Sequence, residues 1–273
     1  MFYELINQDA DSHARTGIIH TQHGDIETPI FMPVGTAGSV KGMTMQHLAE
    51  VQAQIILGNT YHLFLRPGLD VIRTFGSLHK FIGWDKPILT DSGGFQIFSL
   101  KGRTKVTEKG VSFQSHIDGT KFFLSPEDVV DIQNVLGSDI QMILDNFAPY
   151  PATEKENRKA FEITNIWARR GRDHFLKSES PNAQFAIIQG GLDEELRSES
   201  LERLSDIGFD GYAVGGLSVG EPVEEFERIV SYIAPKMPIE TPRYLMGSGT
   251  PEELLHAIGE GIDMFDCVMP TRN

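Results

Sequence analysis

Short uncharged apolar runs alternate with longer amphipathic stretches through most of the chain. The apolar runs fall at 30–33, 55–58, 88–90, 140–144, 185–188, 212–214, 244–246 and 264–268. Runs this short, bounded by turn residues, predict strands buried on both faces, as in a parallel sheet. Between them, helical patterns occupy 44–52, 126–136, 155–176, 193–205, 222–233 and 251–259. Several open on Ser, Thr or Asp near a Pro or Glu, the chemistry of a capped helix start. Counted in order, the pattern gives about eight strand-helix steps, the number that closes a TIM (β/α)8 barrel of class α/β.

Two stretches break the rhythm. Near the N-terminus, 16–20, a His23-Gly24 turn and 26–32 predict a β-hairpin, set as a lid over one end of the barrel. His20 and His23 could be taken as a metal pair, but no third ligand lies near them in the sequence, so they read as exposed turn histidines. Over 102–123, Val111, Phe113, His116 and Ile117 alternate with turn residues and predict a β-hairpin insertion after the third strand. After the eighth strand the chain stops at PTRN, before any helix that would cover it. The expectation is a single barrel domain over 1–273, C-terminally incomplete, with the final covering helices missing.

Composition narrows the partners. The 273 residues carry a net charge of −14 and a pI near 5.0, which argues against a generally basic nucleic-acid coat and against binding to an anionic membrane surface. Nucleic acid would have to meet a local basic patch. The single cysteine, Cys267, excludes an intrachain disulfide and any cysteine-rich zinc site made by this chain. No apolar run approaches the roughly 18 residues of a membrane helix, and no basic-then-apolar leader opens the chain, so a cytoplasmic location is expected.

Candidate chemistry gathers at the strand ends. The stretch PILTDSGGFQIFSL sets Asp91 and Ser92 at the end of the third strand. Gly93 and Gly94 follow, letting backbone approach a ligand, then Phe95 and Gln96 with a stacking face and an amide. The fourth strand ends in Asp145, the fifth in Gln189, and the sixth in Gly215, Gly216 and Leu217 with Glu221 beyond. The seventh runs through Met246 into GSGTPEE, and the eighth carries Asp266. Three acids, one amide and bare glycine backbone converge on a mouth short of cations. Three carboxylates could hold a divalent cation, though hard-metal sites usually add further oxygens or a histidine. The GSGTPEE loop offers only the backbone half of a phosphate site. Two acids at one reacting centre also serve glycosidic chemistry, one attacking the anomeric carbon and one protonating the leaving group. Asp145 and Gln189 match the edge of a purine, and Phe95 and Met246 could sandwich its flat face. The residues themselves suggest glycosidic chemistry on a nucleobase.

The loops, taken in order, resemble the queuine tRNA-ribosyltransferase (bacterial tRNA-guanine transglycosylase) family. The likeness runs through FMPVGT, VKGMT, QIILGNTYHLFLRPG, PILTDSGGFQIFSL, FLSPED, PYPA, IIQGG, IGFDGYAVGGLSVGEP, PRYLMGSG and GIDMFDCVMPTRN. The resemblance implies exchange of guanine at the wobble position of tRNAs with a GUN anticodon for a 7-deazaguanine of the preQ1 type, in queuosine biosynthesis. It implies that Asp266 attacks C1′ to form a covalent RNA intermediate, and that Asp91 serves as acid for departing guanine and then as base for the incoming one. It further implies a base-binding set of Ser92, Gly93, Gly94, Phe95, Asp145, Gln189, Gly216, Leu217 and Met246. RNA contact falls to Gly247, Ser248, Gly249, Thr250, Pro251, Glu252, Glu253, Thr271, Arg272 and Asn273. The family also forms homodimers and binds structural zinc through three Cys and a His in a C-terminal region that is absent from this sequence. Two positions depart from the family pattern: Asn146 stands where an acid follows the pocket aspartate, and Phe147 where bacterial members usually have cysteine. His62, between Tyr61 and Leu63, reads as a packed histidine. Two rival functions remain, a barrel nucleoside hydrolase and a non-catalytic RNA-binding partner subunit.

Overall fold

The computed structural model describes residues 1–99 and 104–272. It opens with an antiparallel sheet ordered β1 (Tyr3–Gln8), β2 (Arg15–Thr21), β3 (Gly24–Thr28). β2 and β3 are the expected hairpin. The stretch 26–32, expected as one strand, is two, because Pro29 has no N–H to donate and separates β3 from the barrel strand β4 (Ile30–Gly35). β1 is an addition to the expected pair; Tyr3 is buried and Leu5 half-buried while Glu4 and Ile6 face out, an alternation too short to stand out in the sequence.

Beyond β4 the chain runs through α1 (Met45–Glu50), β5 (Ile56–Gly58), three short helices α2 (Thr60–Leu65), α3 (Leu69–Phe75) and α4 (Leu78–Ile82), then β6 (Ile88–Thr90) and α5 (Gly94–Ser99). The insertion follows as β7 (Thr104–Thr107), β8 (Gly110–Gln114) and β9 (Lys121–Leu124). It is an antiparallel sheet of three strands, one more than the expected hairpin, and Gly102 and Arg103 lie outside the described residues. Regular alternation then resumes with α6 (Pro126–Leu136), β10 (Ile140–Met142), α7 (Glu154–Lys177), β11 (Ala183–Ile188), α8 (Glu194–Ile207) and β12 (Gly211–Val214). The run ends with α9 (Val223–Ile233), β13 (Arg243–Leu245), α10 (Pro251–Gly259), β14 (Met264–Cys267) and α11 (Met269–Arg272). The longer helices begin as their sequences predict. Ser125 caps α6 reciprocally with Asp128 ahead of Pro126, and Thr153 caps α7 with Glu156.

Eight parallel strands close into a barrel, in the order β4, β5, β6, β10, β11, β12, β13, β14. Closure is made by β14 on β4, with Met264 opposite Ile30 and Asp266 opposite Met32. All eight predicted strands are present, with shifts of only a residue or two at their ends.

The N-terminal sheet covers the barrel end from which the strands start. Ile19 and Ile26 are fully buried in one core with Met32, Leu89 and Phe185. Arg15 pairs with the fully buried Asp263, which also accepts from the Arg243 N–H at 2.7 Å and from the Tyr3 hydroxyl at 3.3 Å. A buried carboxylate needs such a complete set of donors. The opposite end, where the strands finish, is left open. Among the described residues, no helix is long and apolar enough to cross a membrane.

Candidate active site

All eight barrel strands or the turns after them line one cavity of about 400 Å³ at the open end. Asp91, Asp145 and Asp266 all reach it, as do Ser92, Gly93, Gly94, Phe95, Gln189, Gly216, Leu217 and Met246.

Asp91 is set by the turn that begins α2. Asn59 caps that helix by accepting the His62 N–H at 3.1 Å, and its amide nitrogen donates to Asp91 Oδ2 at 2.5 Å. The N–H groups of Thr60 and Gly93 donate to Asp91 Oδ1 at 2.9 and 3.0 Å. Gly93 holds φ +77°, and a Cβ there would lie 2.9 Å from that of Tyr61, so this approach requires glycine. Burial pushes the Asp91 carboxyl up to about 7, further than the Thr60 and Gly93 N–H groups pull it down, and Asp266 and Asp145 add to the rise. Near neutral pH it divides its time between acid and base.

Asp266 has a different setting. The Tyr244 hydroxyl donates to its Oδ1 at 2.5 Å and the Gly247 N–H donates to the same oxygen at 2.9 Å. Burial raises its pKa, while these two bonds favour the carboxylate and oppose the rise. Its other oxygen, Oδ2, accepts no hydrogen bond from a described residue, which leaves it open to a ligand.

Asp145 and Gln189 meet directly: the Gln189 amide nitrogen donates to Asp145 Oδ2 at 2.7 Å. Burial lifts Asp145 to about 6 against that bond. The pair fits only because Gly216 has no side chain, since a Cβ there would lie 2.5 Å from Gln189 Oε1. Behind it, Arg197 is fully buried, forms no ion pair among the described residues and donates to the carbonyls of Gly191 (2.7 Å), Gly215 (2.9 Å) and Ile188 (3.2 Å). It ties the ends of β11 and β12 together. Burial lowers its pKa to about 10.

The predicted stacking partners Phe95 and Met246 both line the cavity. Phe147 does too, and stacks on Phe95 with centroids 5.4 Å apart and planes 17° apart. The Phe147 ring therefore extends the aromatic wall.

Of the expected RNA-contacting residues, Gly247 and Arg272 line the cavity. Ser248 is buried and shares a hydrogen bond with Ser218 at 3.0 Å. Glu253 accepts from the N–H groups of Gly249 and Thr250, and Thr250 caps α10, so these polar groups serve the helix start. Pro251 and Glu252 are exposed, Thr271 is half-buried in α11, and Asn273 lies outside the described residues.

Sequence reasoning missed Asn59, Tyr244 and Arg197. Asn59 reads as an ordinary cap, Tyr244 as a core filler and Arg197 as a helix-surface charge; no local signal separates them from those roles. Nor does the sequence show the partner of His23. His23 is an exposed turn histidine as expected, but one with a partner: its Nδ1 lies 2.7 Å from Asp139 Oδ1, while His79 Nε2 lies 3.1 Å from Oδ2. The three groups form a cluster of possible ligand atoms. However, the two rings are stacked at 3.7 Å and 14°, so their in-plane lone pairs run side by side instead of converging. The cluster is a clamp from the β2–β3 turn to the barrel floor. Burial acts to raise Asp139, and the bonds from His79, His23 and the Ile88 N–H outweigh it, holding the carboxyl below its ordinary value.

Comparison with known proteins identifies the family. The family model for queuine tRNA-ribosyltransferase matches residues 9–273. The chain belongs to that family. A queuine tRNA-ribosyltransferase of Azoarcus sp. is 57% identical over 273 residues, covering 100% of this chain and 73% of the relative. Proteins of the same name from Acinetobacter baylyi and Aromatoleum aromaticum are 57% and 56% identical, with 100% of this chain and 70% and 73% of each relative covered. The zinc implied by membership in the queuine tRNA-ribosyltransferase family would need three cysteines. This sequence has one, Cys267, on the cavity wall. These residues do not fit the metal, and no chemistry below is routed through it.

Proposed function

We propose that this chain is a tRNA-guanine transglycosylase, replacing guanine at the wobble position of a GUN-anticodon tRNA with a 7-deazaguanine of the preQ1 type. One observation carries the reading. A carboxylate held by two donors with one oxygen free, Asp266, shares a cavity with a second whose pKa is about 7, Asp91. Nucleophile and acid-base catalyst need such unequal environments.

The target base leaves its stack and enters the cavity. Asp145 accepts from ring and exocyclic N–H groups, Gln189 and the backbone at Gly216 and Leu217 complete the edge, and Phe95 and Met246 cover the faces. Asp266 Oδ2 attacks C1′ of the ribose. The C1′–N9 bond breaks, its electron pair leaves with guanine, and Asp91 supplies the proton that neutralises it. The incoming base then gives its N9 proton to the Asp91 carboxylate and attacks C1′, expelling Asp266 and restoring both acids. No cofactor enters this cycle. A cytoplasmic, homodimeric enzyme accords with the family.

The test is covalent capture. The chain is incubated with an anticodon stem-loop beginning its anticodon in G, together with a deazaguanine, and run on a denaturing gel beside Asp266→Ala. An RNA adduct lost in the variant supports the reading. Absence of any adduct, or turnover of free guanosine without RNA, overturns it, the latter in favour of a nucleoside hydrolase.

A further inference from the structure

An RNA substrate raises an electrostatic problem that the three acids do not solve. The chain carries −14 overall, the cavity holds Asp91, Asp145 and Asp266, and a nucleotide entering it brings a phosphodiester on either side. Among the described residues lining the cavity, the only basic ones are His62 and Arg272.

Both line the cavity, and both have side-chain nitrogens without a hydrogen-bond partner among the described residues. Arg272 is exposed on α11 and uses one nitrogen, Nη2, to donate to Thr36 Oγ1 at 2.7 Å. That bond anchors it beside the end of β4 and leaves the rest of its fork free. His62 is half-buried on α2, three residues from the Asn59 that holds Asp91. Neither of its ring nitrogens bonds to a described residue. The ring itself is fixed, lying edge-on to Tyr61 at 5.2 Å and to His116 at 5.8 Å, with the Tyr61 hydroxyl and His116 Nδ1 joined at 2.7 Å. An oriented imidazole with idle nitrogens at a cavity wall is poorly explained by packing alone. Burial lowers its pKa, and the neighbouring His116 and Arg272 push the same way.

We infer that His62 and Arg272 form a two-point clamp for the phosphodiester next to the nucleotide whose base enters the cavity. This rests on the transglycosylase reading and adds to it an RNA-backbone ligand, His62, on the element that positions Asp91. An arginine fork and an imidazole N–H suit a phosphate oxygen pair, and neither identifies a base. The clamp therefore governs RNA affinity and leaves recognition of the free base to Asp145 and Gln189.

The experiment measures binding of a fluorescently labelled anticodon stem-loop to the full chain by anisotropy across a salt series. Wild type is compared with His62→Ala, His62→Lys and Arg272→Gln, and guanine binding is followed in parallel by calorimetry. Arg272→Gln is expected to weaken RNA binding and to lower the slope of log affinity against log salt by about one. His62→Ala is expected to weaken RNA binding by about 10–100-fold, the worth of one hydrogen bond to a charged group. His62→Lys should restore the affinity, and guanine binding should be unchanged in every variant. RNA affinity unaltered in His62→Ala, or guanine affinity lost in the same proportion, overturns the clamp, the second result because it marks a packing role. If wild type binds RNA through the clamp but forms no covalent adduct, the transglycosylase reading fails and the clamp stands. If an adduct forms and His62→Ala changes nothing, the clamp fails and the transglycosylase stands.

Discussion

Asp91 should be a costly residue to the fold at alkaline pH, and Asp91→Asn measures the cost. The carboxyl titrates at about 7 in the folded chain and at about 3.9 in an unfolded one. A folded-state pKa raised in this way gives stability that is complete below about pH 3.9 and is lost as pH rises through about 7. The loss is at most about 1.5 kcal/mol at pH 5 and about 4 kcal/mol at pH 8, taking 1.36 kcal/mol for each pH unit of difference. An asparagine side chain never ionises and escapes it. The introduced amide would keep the Thr60 and Gly93 N–H bonds to its oxygen but set its NH2 against the Asn59 amide nitrogen, a lost hydrogen bond of about 1 kcal/mol at every pH. The variant should thus nearly match wild type in urea unfolding at pH 5 and exceed it by about 3 kcal/mol at pH 8. A difference between the two proteins that stays constant within about 0.5 kcal/mol across that range would refute the reasoning, since only a group titrating between the two pH values can make it grow.

Two further changes probe the supports of the site. Tyr244→Phe removes the shorter of the two donors on Asp266 and should slow adduct formation by about 10–100-fold, the worth of a hydrogen bond to a charged group, while moving the acid limb of the pH profile upward. An unchanged rate and profile would show that Gly247 alone suffices to hold Asp266. Arg197→Met strips hydrogen bonds from the carbonyls of Ile188, Gly191 and Gly215 but also relieves the burial of a cation; a net loss of about 2–4 kcal/mol in urea unfolding is expected. Equal stability would mean that burying the guanidinium costs as much as its bonds return.

Most of the frame was legible because burial on both faces leaves an uncharged run in the sequence for each barrel strand, such as Ile88–Thr90 or Gly211–Val214. The acids were legible because they sit at strand ends, where Asp91, Asp145 and Asp266 interrupt apolar residues. What escaped depends on distance along the chain. The partner of Tyr244 lies 22 residues on, and that of His23 lies 116 residues away, so periodicity says nothing of either. The short helices α2 to α4 are only five to seven residues long, less than two turns or barely that, and carry no readable amphipathic repeat. The third strand of the insertion and β1 escaped for a similar reason: each is brief and faces solvent on one side.

The strand that closes the barrel is also the strand that carries Asp266, the proposed nucleophile. β14 follows the other seven along the chain and pairs with β4, the earliest of them. During synthesis, seven strands emerge while the sheet still has two open edges, and in that interval Asp145, Gln189 and Asp91 are already present without Asp266. A nascent chain could hold a base but has nothing with which to attack a ribose. On the proposed reading, the site is whole only once β14 has closed the barrel on β4.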